Sequence, residues 1–170
     1  MQRYGNGDVN AFATLYARHK GGVYRYLLRG CGDTELAAEL FQDVWANVVR
    51  AAPRYEARAR FTTWLYRLAH HRLIDHHRAR QPASAELGEE HAAPEHEQPE
   101  AQAQAATQRR RLLAALQALP AEQRQAFLLK EEGGLSLEEI AATTGVGRET
   151  VKSRLRYGLA KLREVLADVL

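Results

Sequence analysis

Residues 136–162 read SLEEIAATTGVGRETVKSRLRYGLAKL, and this stretch decides the fold. Ser136 followed three residues later by Glu139 fits a capping box, in which the serine accepts from a first-turn N–H and the glutamate reaches back to the cap. Ile140 and Ala141 give the short helix that follows a buried side. Gly145 supplies a tight left-handed turn and Val146 plugs the angle to the next helix, which is helix-turn-helix grammar. The second helix is expected to bury Val151, Leu155, Leu159, Leu162 and Leu166. That spacing leaves Glu149, Lys152, Ser153 and Arg156 outward near its N-terminal half, where recognition helices meet base edges.

Upstream of this motif, Leu112, Leu113, Leu116 and Leu119 follow helical spacing. Pro120 then starts a helix through Phe127, Leu128 and Leu129 that stops at Gly133-Gly134. Residues 81–106 differ in kind: Pro82, Pro94 and Pro99 stand among Ala, Gln and six Glu, with Leu87 the one large apolar residue and no Lys or Arg. Such a segment cannot bury enough to offset its ordering entropy, so it is expected to be a flexible acidic linker whose Ala-rich end can join the next helix. In the N-terminal part, Phe12, Leu15, Tyr16, Val23, Tyr24, Leu27 and Leu28 mark one helix, which Gly21-Gly22 could kink. Asp33 can cap a second with the stripe Leu36, Ala37, Leu40, Phe41, Val44, Trp45, Val48 and Val49, ending before Pro53. A third begins near Thr62 or Thr63, whose side chains could accept from the first turn, and buries Trp64, Leu65, Leu68 and Leu73. The expected class is all-α: helical modules at 1–80 and 107–170 joined by the acidic linker at 81–106, and folding separately because that linker carries too little apolar surface to unite them.

The net charge of the 170 residues is only +3, but the charge is segregated. Residues 50–80 hold eight Arg against Glu56 and Asp75, and residues 148–163 hold six cations against Glu149. Clustered cations on both sides of an acidic connector suit a polyanion touched at two places, because Lys and Arg exchange counterions with phosphates. Cys31 is the only cysteine, so no intramolecular disulfide can form. With no run long enough to span a bilayer and no apolar leader, the cytoplasm is the expected location.

Two separated stretches carry a resemblance. Gly134-Leu135-Ser136 through Glu139-Ile140-Ala141, then Gly145-Val146, Thr150 to Leu155 and Lys161-Leu162-Arg163, with Leu119-Pro120 and Arg124 upstream, resemble region 4 of sigma-70 factors. Ala38 to Trp45, Phe61 to Ala69 and Arg72 to Asp75 resemble region 2 of the extracytoplasmic-function (ECF) group. Ala38 stands where that group often has an acidic residue, and His71 where Asn is common.

The resemblance implies a bacterial transcription initiation factor, not an enzyme and without a cofactor, whose partners are core RNA polymerase and promoter DNA. It allows for an anti-sigma factor besides. By similarity, Glu39, Gln42, Asp43 and Asn47 would dock on core polymerase. The melted minus-10 strand would meet Arg58, Arg60, Phe61, Arg67, His70 and His71, and the minus-35 element would be read by Arg148, Lys152, Ser153, Arg156 and Tyr157. Two rivals use the same residues. A conventional helix-turn-helix regulator would bind duplex DNA without polymerase, but it has no use for a basic, aromatic loop suited to single strands. A metal site could use His71 and Asp75, four apart on one helical face, yet Arg72 and Arg78 crowd it with positive charge.

Overall fold

A computed structural model describes residues 1–79 and 100–167, apart from some side chains between 100 and 105 and that of Leu166. Among the described residues the regular structure is helical: α1 (Gln2–Gly5), α2 (Val9–Cys31), α3 (Thr34–Ala51), α4 (Phe61–Ala79), α5 (Glu100–Gln117), α6 (Ala121–Glu131), α7 (Leu137–Thr144) and α8 (Arg148–Ala167), with a single 3-10 turn at Ala52–Arg54. Most of the expected linker, 80–99, lies outside the described residues. Its Ala-rich end belongs to α5, which starts at Glu100.

Local chemistry sets most of these boundaries. The Asp8 carboxylate accepts from the Ala11 N–H and caps α2, while Asp33 accepts from Glu35 and Leu36 and caps α3, each satisfying donors that a first turn leaves without partners. The 23-residue α2 runs through Gly21-Gly22 as one uninterrupted helix. The second glycine answers to packing: a Cβ at Gly22 would lie 2.6 Å from the Tyr66 hydroxyl of α4. Thr63 does not cap α4 as its sequence position suggests; its side chain donates to Glu139 of α7 instead, at 2.6 Å.

Helices α2, α3 and α4 pack around Val23, Leu27, Leu40, Val44, Val48, Leu65 and Leu73. Helices α5 to α8 enclose Leu116, Leu119, Leu128, Leu129, Ile140, Val151 and Leu162. Two residues of the expected stripes depart from them. Val49 is 43% exposed at the end of α3, and Leu159 is 38% exposed on α8.

Where two separately folding modules are expected, the buried side chains of both halves form one continuous cluster, with α2 against α5 and α6 and α4 against α7. Residues 107–170 reach the N-terminal half directly, through the ends of helices α6 and α7. The connecting segment plays no part in these contacts.

Candidate nucleic-acid interface

The helix-turn-helix is built as its residues dictate. Ser136 accepts from the Glu139 N–H at 3.2 Å and Glu139 Oε2 accepts from the Ser136 N–H at 2.8 Å, closing the capping box. Gly145 ends α7 at φ +71°, a backbone region costly for any residue with a Cβ. The Val146 N–H then returns to the Ala141 carbonyl, and Val146 packs against the core, which sets the angle of α8. Val151 is fully buried beneath that turn.

The outward side of α8 carries the expected reading residues. Arg148 bridges Glu138 of α7 at 2.6 Å and Glu149 at 3.0 Å, while Lys152 lies 3.9 Å from Glu149. Arg156 stacks over the Tyr157 ring at 4.8 Å, and Tyr157 is 54% exposed. Ser153 is half-buried between them. The result is a polar ridge of major-groove dimensions with cations at both ends.

The second basic region surrounds the loop from the 3-10 turn to α4. Tyr55, Phe61 and Trp64 form a half-buried aromatic group with ring centroids 5.0 to 6.3 Å apart, and His19 adds an edge at 5.4 Å from Phe61. Arg58 stands exposed, paired only with Glu56 of the same loop. Arg67 and His71 are exposed on α4.

His70 is not with them. It is 5% exposed, and its Nδ1 lies 3.2 Å from the Tyr26 hydroxyl in the core. Burial and the neighbouring His71 depress its pKa to about 4, so it is neutral and internal, unlike the surface contact that the sequence suggests. The helical period explains the difference: Ala69, His70 and Leu73 occupy the face that α4 turns to α2.

Arg60 is placed differently again. Its guanidinium grips Glu139 through Nε at 3.2 Å and Nη2 at 2.6 Å, next to the Thr63 hydroxyl on the same carboxylate. The Arg60 hydrogen bond is the main reason the Glu139 pKa falls to about 2. A second acidic contact was not foreseen from sequence. Glu132, at the end of α6, binds Arg29 and, at 3.0 Å, Arg25, with a side chain only 6% exposed, while the Tyr66 hydroxyl donates to the Glu132 carbonyl at 2.6 Å.

On α3, Glu39 and Gln42 are exposed, and Asp43 and Asn47 are half-buried, on the side away from Leu40, Val44 and Val48. Leu40 and Trp45 belong to the core. Among the described residues no group of three or more His, Cys, Asp or Glu is placed to hold a metal ion, and no helix is long and apolar enough to cross a membrane.

A scaffold of short helices that turns two basic faces outward, one around a reading helix and one around an aromatic loop, defines an all-helical DNA-binding protein. Known proteins narrow that class. Residues 15–82 match the Sigma-70 region 2 family and residues 109–162 match Sigma-70, region 4. The RNA polymerase sigma factor CarQ of Myxococcus xanthus is 33% identical over 99% of this chain and 97% of its own length. The ECF RNA polymerase sigma factor SigK of Mycobacterium tuberculosis H37Rv is 31% identical over 98% of this chain and 91% of its own. The chain belongs to the sigma-70 family, in its ECF group, and is an RNA polymerase initiation factor. Its fold is similar to that of RpoE of Bartonella quintana, solved with the anti-sigma factor NepR, at a TM-score of 0.73 and 21% identity over 94% of this chain and 98% of that one. CnrH, solved with the cytosolic domain of CnrY, gives 0.72 and 21% over 98% and 94%.

Proposed function

We propose that the chain divides this work between its two halves. Residues 107–170 read the minus-35 element, and residues 1–80 hold core polymerase and the melted minus-10 strand. The observation that carries this reading is the outward face of α8. Arg148, Lys152, Ser153, Arg156 and Tyr157 share it, over a buried Val151 and beside a closed capping box. Lys and Arg donors on such a ridge suit guanine edges and phosphates. For the minus-10 strand the proposed contacts are Arg58, Arg60, Phe61, Arg67 and His71. Aromatic faces beside cations are a common way to hold single strands. His70 is left out because it is internal.

Docking on core polymerase is assigned to Glu39, Gln42, Asp43 and Asn47, a polar stripe on α3 that no other helix covers among the described residues. The factor acts in the cytoplasm by binding, without catalysis of its own. An anti-sigma factor is a further proposed partner. The test is transcription in vitro with core RNA polymerase on a genomic fragment library. Defined start sites that depend on this chain are expected. Binding to DNA fragments with no effect on polymerase would instead favour a conventional regulator.

A further inference from the structure

The two halves of the chain are fastened by groups that have other uses. Glu132 is enclosed by Arg25 and Arg29 of α2, and Tyr66 donates to its carbonyl. Glu139 is shared between the Ser136 cap and the pair Arg60 and Thr63. Gln117 of α5 donates to the Arg29 carbonyl at 2.9 Å, and Gly22 leaves the space that Tyr66 needs to reach across. We propose that this packed arrangement is an autoinhibited state latched by Glu132 and Glu139, which must open before a promoter is engaged at both elements.

Two observations carry the proposal. First, the Glu139 carboxylate fills the Arg60 fork as a planar anion would, so a cation proposed for the minus-10 strand is already satisfied within the chain. Second, the packed form is too small for its target. A compact chain of this length has a radius of gyration near 16 Å and spans roughly 40 Å. Elements about 25 base pairs apart lie about 85 Å apart at 3.4 Å per step. By contrast, Lys152, Arg156, Glu39 and Gln42 are exposed while the latch is closed. Polymerase and duplex DNA can therefore approach the closed form, and opening follows docking.

The inference rests on reading Arg60 as a minus-10 contact, and its test separates the two. Glu132→Gln combined with Tyr66→Phe removes latch contacts without touching any proposed DNA-contact residue. The full-length double variant is expected to keep its helicity, to show a larger radius of gyration by X-ray scattering, and to bind a fluorescent mixed-sequence single strand roughly tenfold more tightly, since apparent affinity scales with the competent fraction. Glu132→Arg should open the chain in the same way, and adding Arg29→Glu should close it again, which a merely structural role would not produce. A double variant as compact as the parent overturns the latch, and so does an expanded one with unchanged affinity. Failure of parent and variant alike to bind the single strand overturns the minus-10 reading, and this inference with it.

Discussion

Lys152 and Arg156 stand one helical turn apart on the exposed side of α8, and neither supports the core. Replacing either with Ala should weaken binding to a minus-35 duplex by about 1–3 kcal/mol while leaving the melting temperature nearly unchanged. Competition between cognate and scrambled duplexes checks it, and equal affinity for both in parent and variants would remove this face from recognition. His70 gives a second test. Its folded pKa of about 4 lies below the unfolded value of 6.5, so the unfolded chain takes up the proton first as pH falls. Stability contributed by the neutral ring is thus complete above pH 6.5 and lost progressively down to about 4, a drop of about 2 kcal/mol between pH 7.5 and 5. Urea unfolding at the two pH values should show this drop, and His70→Asn should flatten it. The outward residues of α8 were legible because helical periodicity alone assigns them. His70 was misread because a basic neighbourhood outweighed its phase on α4, and its partner Tyr26 is 44 residues away in sequence.

At the scale of elements, the capping box and the Gly145 turn follow from short-range chemistry, which is why the helix-turn-helix was readable in full. Ser136→Ala should cost about 1 kcal/mol of stability by urea unfolding, because the Glu139 N–H loses its acceptor. A change below a few tenths would show that the Glu139 half of the box suffices. The loop before α4 is tested by Arg58→Ala, a residue outside the latch. Transcription from a fully duplex promoter should fall, with a smaller defect on a template carrying a pre-melted bubble, since strand capture then need not supply the few kcal/mol of unpairing. Equal losses on both templates would assign Arg58 to general phosphate attraction. The start of α4 was less legible. Thr63 looks like a cap in sequence, yet a carboxylate 76 residues away takes its hydroxyl.

For the whole molecule, composition separated the chain into halves but could not show that they touch, since pairs such as Arg25 and Glu132, 107 residues apart, leave no local pattern. A Glu-specific protease should cut first among the glutamates between Glu86 and Glu97, which lie in the stretch poorest in apolar residues. If the shared core holds the halves together, the two fragments will co-elute on gel filtration in physiological salt; separate elution would mean that the connection, not the interface, joins them. The spacing of α4 and α5 has one more consequence. Helix α4 ends at Ala79 and α5 begins at Glu100, so the intervening backbone can reach about 70 Å at full stretch. Loops of comparable size bring their ends together in well under a microsecond. A micromolar protein meets another macromolecule only about once in 0.1 s or more slowly at ordinary association rates. A factor that leaves polymerase therefore collides with its own other half many thousands of times before any stray DNA arrives, so the closed state would act as a timer that resets itself after each round of initiation.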